Sequence, residues 1–316
     1  MSEIEKLRKD ETTVALLYGG ISGEREISLK SGENVISALR TEGYTVIPVD
    51  TGKQGFVTDL INAKADIAFI CLHGIGGEDG SIQGLCEVIN LPYTGSGILA
   101  SSLAMDKERS KLFYHKEGLL TPRSIMICKG DSLDSKHIIN ELHLPLVIKP
   151  VSDGSSLGVS IVRDLSDFGQ AIENGFLISD FLMAEQFIAG TELTVAVLGN
   201  HDARALPPIE IVPVNEFYDF ESKYEEGGSR HICPARIREE ERMACQNAAI
   251  KAHRSLGCRG VSRTDIILDQ DGDCWVIETN TIPGMTGTSL LPHAAEAAGI
   301  SLGELYCMLI DFALEK

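Results

Sequence analysis

The first 98 residues alternate between short apolar runs and segments with helical spacing, and this alternation constrains the fold more than any other feature of the sequence. Apolar runs at residues 14–18, 44–49, 67–72 and 92–94 predict strands. A helix is predicted between the first two, with Gly43 where a C-cap glycine belongs. Strands separated by helices predict an α/β domain with a parallel sheet, which binds ligands at the carboxyl ends of its strands.

Two glycine-rich segments follow strands of this predicted sheet, and both should lie at its ligand-binding edge. They are YGGISGEREIS at residues 18–28 and CLHGIGGEDG at residues 71–80. A glycine-rich turn before a helix usually holds an anion, but the first segment places the carboxylates of Glu24 and Glu26 there instead. The alternative is that both carboxylates only cap the helix and favour its dipole, which we prefer for Glu26.

The pattern changes after residue 98. A helix carries MDKERSK at residues 105–111, and LPLVIKPVSDGSSLGVSIV at residues 144–162 predicts two strands joined by a glycine–serine loop. Such a loop is typical of a flap and not of a P-loop that opens a helix. A long polar loop at residues 213–234 precedes a predicted helix at residues 238–256.

The segment GVSRTDIILDQDGDCWVIETN at residues 260–280 predicts a hairpin with Asp271-Gly272 as a two-residue turn. That register sets Asp265 opposite Glu278 and Arg263 opposite Asn280, all on one face. Like charges directly opposed destabilise a strand pair, and a divalent cation between them would remove that cost. Two carboxylates and an amide oxygen suit Mg²⁺ or Mn²⁺. An ordinary solvated sheet face remains an equal alternative at this point.

Charge and cysteine usage exclude several classes of protein. The formal charge of −18 argues against non-specific nucleic-acid binding. The eight cysteines are scattered without zinc spacing, and most should be buried, reduced thiols. The charged N-terminus has no secretory character, and no run of 18 apolar residues predicts a membrane span. We therefore expect a cytoplasmic protein that binds small ligands and neither a membrane nor nucleic acid.

Several long motifs resemble the D-alanine–D-alanine ligase family of the ATP-grasp superfamily. They occur in the family's order and are GGISGEREISLKSG, HGIGGEDGSIQG, LPYTGSG, MDKERSK, VIKPVSDGSSLGVS, FYDFESKY and IETNTIPGMTGTSL. The resemblance implies a three-domain α/β ATP-grasp fold. Its parts would be an N-terminal substrate-binding domain at residues 1–98, with residues 1–11 as an extension, a central flap-bearing subdomain at 99–194, and a C-terminal metal-bearing subdomain at 195–316.

The family uses ATP to join two D-alanines through an acyl phosphate, for peptidoglycan precursor synthesis. By resemblance, Glu24 pairs with the ammonium of the first D-alanine, His73 lies near its carboxylate, and Ser155 orients Glu24. Glu78 and Asp79 would mainly shape their loop or cap the next helix. The remaining substrate roles fall on Arg263 and Gly284, which would stabilise the tetrahedral oxyanion, and on Ser289 and Leu290, which would hold the second D-alanine's carboxylate.

The resemblance also implies the nucleotide and metal contacts. ATP would meet Lys107 and Lys149 at its phosphates, Glu185, Phe187 and Ile188 at adenine, Glu192 at the ribose, and Lys223 on a closing loop. The same loop would carry Tyr224 as a catalytic residue. Asp265, Glu278 and Asn280 would bind two Mg²⁺ or Mn²⁺ ions. Lys111 is explained as part of a solvated helix face.

Two alternatives stay open. One is an ATP-grasp ligase with D-serine, D-lactate or another amino acid as acceptor. Tyr224 argues against D-lactate, because ligases of that type carry a histidine on this loop. The other is a non-catalytic nucleotide sensor, against which the full set of Arg263, Asp265, Glu278 and Asn280 argues. The resemblance also implies a homodimer.

Overall fold

The computed structural model describes residues 8–152, 157–213 and 229–315. A 3₁₀ turn at Lys9–Glu11 precedes the N-terminal sheet, whose strands are β1 (Thr13–Tyr18), β2 (Thr45–Asp50) and β3 (Ile67–Ile70). They are parallel in the order β2-β1-β3, as the alternation predicts. The helices are α1 (Arg25–Thr41), α2 (Phe56–Asn62) and α3 (Ser81–Val88). The predicted strand at residues 92–94 is reduced to one parallel bridge between Ala68 and Tyr93.

The α1 helix follows its sequence pattern closely. Ser31, Val35 and Leu39 are buried, and their four-residue spacing places them on one face of the helix. Gly43 has φ +100°, in the left-handed region that favours glycine at a helix C-terminus. The predicted C-cap glycine is therefore confirmed.

The middle of the chain forms a second, antiparallel sheet in the order β4-β7-β5-β6. Helices α4 (Ile98–Met105) and α5 (Lys107–Lys116) precede it. The sheet consists of β4 (Ser124–Cys128), β5 (Leu146–Pro150), β6 (Ser160–Val162) and β7 (Phe181–Gln186), with α6 (Ser135–Leu142) and α7 (Leu165–Phe176) packed on it. Pairing of β5 with β6 confirms the predicted strand–loop–strand; residues 153–156 of that loop lie outside the described residues.

The C-terminal part forms a third sheet, also antiparallel, in the order β11-β10-β8-β12-β13, with β9 on β8. Its strands are β8 (Gly190–Leu198), β9 (Arg204–Ala205), β10 (Ile209–Pro213), β11 (Ser229–Ile232), β12 (Val261–Asp269) and β13 (Cys274–Asn280). The helices are α8 (Glu239–Ser255), α9 (Leu290–Ala297) and α10 (Leu302–Leu314).

The β12–β13 hairpin differs from the predicted two-residue turn. Its loop has three residues, 270–272, and Gly272 has φ +88°. The longer loop is stabilised by the Asp269 carboxylate, which accepts hydrogen bonds from the backbone N–H groups of Asp271 and Asp273 at 3.0 and 2.9 Å. A register shift beyond Asp265 compensates for the extra loop residue, so Asp265 still pairs with Glu278.

The N-terminal and C-terminal parts share a hydrophobic core in which α10 packs against α1 and β3. The rings of Phe69 and Tyr306 meet edge to face, with centroids 5.8 Å apart. Among the described residues, no single helix has the length and apolar character needed to cross a membrane. Helices α9 and α10 have that length and character only when taken together, and the pair is bent by 103°.

Candidate active site

A cavity of about 200 Å³ lies between the central sheet and the β12–β13 hairpin, and it contains most of the residues expected to bind ATP. Its lining includes Lys107, Lys149, Glu185, Phe187, Ile188, Glu192, Asp265 and Glu278. Aliphatic side chains of Val147, Ile266 and Ile267 complete the wall. The cavity therefore combines an apolar slot with ammonium and carboxylate groups, as a nucleotide base and its phosphates require.

Two buried lysines form ion pairs with the carboxylate of Glu185, which lines this cavity. The Nζ atoms of Lys149 and Lys111 each lie 2.5 Å from one of its oxygens. Burial opposes the charged form of Glu185, yet the two ammonium groups hold its pKa below the ordinary value. Lys111 also donates to the carbonyl of Pro122 at 2.7 Å.

The prediction of a solvated role for Lys111 is therefore wrong. Its side chain is 6% exposed, because the α5 face that carries it turns towards Glu185 and away from solvent. Lys107, one turn earlier on α5, also enters the cavity. Helical spacing alone could not distinguish this face from a solvated one.

Two of the three predicted metal ligands, Asp265 and Glu278, line this cavity. Asp265 and Glu278 are opposed across the hairpin, and Arg263 is opposed to Asn280. Each carboxylate has a cation beside it: Lys107 Nζ is 3.0 Å from Glu278, and Arg263 Nε donates to Asp265 at 3.1 Å. Thr194 donates a further hydrogen bond to Asp265 at 2.5 Å. The oxygen donor set fits a hard divalent cation.

A second cavity, of about 480 Å³, adjoins the first and contains residues expected to bind the amino acids. Its lining includes Glu24, His73, Arg263, Asp265, Asn280, Gly284, Ser289 and Leu290, and Glu26 also reaches it. Asp265 lines both cavities. The loops after β1 and β3, the end of β13 and the start of α9 thus meet around one space.

His73 is buried in this second cavity, and burial lowers its pKa to about 4, so the ring is neutral at pH 7. Its Nδ1 lies 3.1 Å from the carbonyl oxygen of Ile282, which makes Nδ1 the donor. The Nε2 atom is buried without a hydrogen-bond partner in the part of the chain that the structure describes. With Nδ1 as the donor, Nε2 is the nitrogen of the ring that can accept a hydrogen bond.

Glu78 joins the loop after β3 to the loop after β13. Its carboxylate accepts hydrogen bonds from the N–H groups of Gly74 at 2.9 Å and Ile282 at 3.3 Å. Burial, reinforced by the charge of Glu24, raises its pKa to about 8. Asp79 accepts from the N–H groups of Gly76 and Ser81 at 2.8 and 2.9 Å. Both side chains therefore shape the loop, as expected.

The start of α9 forms the far wall of the second cavity. Ser289 is its N-cap residue, and its hydroxyl accepts a hydrogen bond from the N–H of Thr286 at 3.0 Å. A Cβ at Gly284 would approach the Ser289 hydroxyl to 2.8 Å, so glycine permits this close packing. The first N–H groups of the eight-residue helix lie beside the cavity, where they suit a carboxylate.

Sequence analysis missed His231, which lines the second cavity from β11. Its pKa is lowered by burial, and the charges of His293 and Arg263 act in the same direction. The segment SRHI shows no alternation of apolar and polar residues, and it adjoins a long polar segment, so the sequence gives no clear strand signal there. The predicted residues Ser155, Lys223 and Tyr224 lie outside the described residues.

An N-terminal parallel sheet, two antiparallel sheets and a lysine-lined cavity between those two sheets define an ATP-grasp fold. Family models described as "D-ala D-ala ligase N-terminus" and "D-ala D-ala ligase C-terminus" match residues 13–59 and 57–96, and residues 113–311. The chain belongs to the D-alanine–D-alanine ligase family.

Individual relatives agree with the family models over nearly the whole chain. A D-alanine–D-alanine ligase of Pelotomaculum thermopropionicum is 45% identical over 309 residues, which cover 96% of this chain and 97% of the relative. One of Halalkalibacterium halodurans is 44% identical over 305 residues, covering 96% and 99%.

Solved structures agree as well. The D-alanine–D-alanine ligase of Bacillus anthracis superposes with a TM-score of 0.85 at 34% identity, covering 96% of this chain and 97% of that one. The same enzyme complexed with ATP gives a TM-score of 0.82 at 33% identity and the same coverage. The VanG D-Ala:D-Ser ligase of Enterococcus faecalis gives 0.84 at 30% identity, covering 96% and 99%.

Proposed function

We propose that this chain is an ATP-dependent ligase that joins two D-alanines to D-alanyl-D-alanine, the dipeptide used in peptidoglycan precursors. The observation that carries the proposal is the junction of the two cavities at Asp265. A nucleotide in the first cavity and an amino acid in the second would meet there. Transfer of a phosphoryl group between them requires this proximity.

In the nucleotide cavity, Lys149 and Lys107 would bind the phosphates of ATP. The adenine would lie against Glu185 and the backbone of Phe187 and Ile188. Glu192 would accept hydrogen bonds from the ribose hydroxyls, since it lines the same cavity. The buried triad of Lys111, Glu185 and Lys149 supports this assignment, because it holds the adenine contact and a phosphate contact in one rigid unit.

In the second cavity, Glu24 would pair with the ammonium of the first D-alanine, while His73 lies beside its carboxylate and Ser155 orients Glu24. That carboxylate would attack the γ-phosphate of ATP. ADP would be released, and the carboxylate would become an acyl phosphate. The amine of the second D-alanine attacks the acyl carbon, and phosphate leaves. Ser289 and Leu290 would hold the second carboxylate at the start of α9.

Arg263 and the N–H of Gly284 would stabilise the oxyanion of the tetrahedral intermediate. Both residues line the second cavity, and Arg263 is anchored by Asp265. Lys223 and Tyr224, on the loop that follows β10, would close the site and exclude the water that hydrolyses an acyl phosphate. A loop tyrosine also favours an amine acceptor over D-lactate.

Asp265, Glu278 and Asn280 would bind two Mg²⁺ or Mn²⁺ ions. Their oxygen atoms fit such ions, and a bound ion would neutralise phosphate charge during transfer. Within the described residues no cluster of three or more His, Cys, Asp or Glu side chains could hold a metal by itself. The site would therefore need phosphate oxygens and water to complete the coordination, as magnesium sites commonly do.

We also propose the three domains at residues 1–98, 99–194 and 195–316. The three sheets support this division, although β8, which spans residue 194, pairs within the C-terminal sheet. A cytoplasmic location fits eight free cysteines. Exposed apolar side chains support a homodimer. Helix α3 packs against α4, and α4 packs against α5; the three helices expose Val88, Leu99 and Leu112.

Phosphate release from ATP tests the proposed function. We expect release with D-alanine and none with L-alanine, and mass spectrometry should identify D-alanyl-D-alanine as the product. With D-alanine and D-serine or D-lactate supplied together, the homodipeptide should dominate. A mixed product as the main product would support a ligase with D-serine or D-lactate as acceptor. ATP binding without phosphate release in the presence of any amino acid would support a nucleotide sensor.

A further inference from the structure

Two cysteines face each other on the side of the C-terminal sheet away from the proposed substrate cavities. Cys245 lies on α8 and Cys274 begins β13, and their sulfur atoms are 3.2 Å apart. Cys245 is buried in the core between α8 and the sheet, and Cys274 packs against the same core. Neither residue lines the nucleotide cavity, which receives Ile277 and Glu278 from the same strand.

The two thiols differ in a way that suits a reactive and a resolving cysteine. Cys274 is half-buried, whereas Cys245 is fully buried. The hydrogen bond between the two thiols lowers the pKa of Cys274, against the opposing effects of burial and of Asp273, Asp269 and Glu241. The same contact raises the pKa of Cys245. Cys274 is therefore the better nucleophile and the more accessible one.

We propose that Cys245 and Cys274 form a reversible dithiol–disulfide modification site. The oxidant is a hydroperoxide such as hydrogen peroxide. The thiolate of Cys274 attacks one peroxide oxygen, the O–O bond breaks, and the cysteine becomes a sulfenic acid. The hydroxide that leaves takes up the proton released when the thiolate formed and becomes water. The sulfur of Cys245 then attacks the Cys274 sulfur, and the displaced hydroxide takes the Cys245 proton to leave as water. Sulfur is oxidised and the peroxide is reduced.

The bond requires little movement. A disulfide has an S–S distance of about 2.05 Å, so the sulfurs would approach by roughly 1 Å. The disulfide would connect α8 covalently to β13, the strand that carries Glu278 and Asn280. Because it closes a loop of intermediate length, it should also stabilise the folded chain against heating.

Peptide mapping tests the site directly. The chain is treated with a small molar excess of hydrogen peroxide, alkylated and digested without reductant. We expect the peptides that contain Cys245 and Cys274 to appear joined, with the loss of two hydrogens, and to separate after dithiothreitol. The oxidised chain should melt several degrees higher than the reduced one.

Three variants sharpen the result. In Cys245→Ser, Cys274 should proceed to the sulfinic acid and gain two oxygens, because the resolving thiol is gone. In Cys274→Ser, Cys245 should stay reduced under the same treatment. Cys128→Ser, which removes another half-buried thiol, should leave the link unchanged. Unlinked, fully alkylated Cys245 and Cys274 peptides after peroxide, or a link from either residue to a different cysteine, would overturn the proposal.

Discussion

Lys107 on α5 and Glu278 on β13 form an ion pair in the wall of the nucleotide cavity, with Lys107 Nζ 3.0 Å from the carboxylate. The pair joins a proposed phosphate ligand to a proposed metal ligand. With Arg263 beside Asp265, it also gives each of the two opposed carboxylates a positive neighbour. The repulsion expected from the hairpin register is therefore offset within the protein, and a bound metal is not required to relieve it.

This pairing gives a prediction for Glu278→Gln. Because Lys107 already neutralises Glu278, the substitution should not raise the melting temperature. Turnover should fall at least about a hundredfold, since one metal ligand loses its charge. Thermal scans with and without Mg²⁺ and ATP, together with phosphate release, provide the measurements. Wild-type turnover would remove Glu278 from the metal site.

Glu24→Gln tests the amino-acid cavity. The variant keeps the size of the side chain but loses the charge that would pair with the ammonium. An ionic hydrogen bond contributes a few kcal/mol, so the first D-alanine should bind roughly a hundredfold more weakly, with little change for ATP. Glu26→Gln, in the first turn of α1, is the matched control and should change D-alanine binding by less than about threefold. A loss confined to ATP affinity would instead make this turn a phosphate site.

Lys111→Met tests the buried triad. Removing one ammonium leaves Glu185 paired with Lys149 alone, at a fully buried position. The free energy of unfolding should fall by about 3 kcal/mol, and the KM for ATP should rise about tenfold as Glu185 and Lys149 shift. Urea unfolding and steady-state kinetics measure the two effects. Lys116→Met, on the exposed side of the same helix, should change neither; equal effects in both variants would contradict the triad's role.

Glu78 gives a pH prediction. Its pKa in the folded chain is about 8, above the ordinary value of 4.5, so the folded state holds a proton that the unfolded state releases between those values. Its contribution to stability is present below pH 4.5 and is lost as the pH rises through 8. In Glu78→Gln this loss is absent. The stability of the variant relative to wild type should therefore increase from pH 5 to pH 9, by on the order of 3 kcal/mol.

Urea unfolding at pH 5, 7 and 9 measures that difference. The amide that replaces the Glu78 carboxylate has one acceptor oxygen fewer, but this adds only an offset that does not depend on pH. Glu33→Gln, on the exposed face of α1, is the control and should give a flat difference. A flat difference for Glu78→Gln as well would show that Glu78 is ionised in the folded chain at neutral pH.

Much of the fold follows from local sequence signals. Strand–helix alternation predicts the parallel sheet, and Gly43 marks the end of α1. In the β12–β13 hairpin the predicted strand pairing is present, but the predicted two-residue turn is not. Asp265 and Glu278 do pair, but through a three-residue loop and a compensating register shift. The hydrogen bonds of the Asp269 carboxylate favour that longer loop, and no simple turn rule contains them.

The site was less accessible from sequence than the fold. Most cavity residues were identified because their motifs resemble those of a known family. Spacing alone did not distinguish a ligand-binding role from a structural one for Glu24 and His73. Lys111 was misassigned because helical periodicity identifies a face but not its neighbour, and that neighbour, Glu185, is 74 residues away in the chain. His231 was missed for the same reason, since its place in the cavity depends on strand pairing between β10 and β11.

The central claim is that a D-alanine carboxylate meets the γ-phosphate of ATP where the two cavities join at Asp265. Oxygen-18 tracing tests it most directly. D-Alanine labelled with ¹⁸O in its carboxylate is incubated with ATP and Mg²⁺, and the phosphate and dipeptide are weighed by mass spectrometry. The acyl-phosphate route predicts one ¹⁸O atom in each phosphate released and one fewer in the residue that forms the peptide carbonyl. Unlabelled phosphate accompanying dipeptide formation, or label found in AMP, would contradict it.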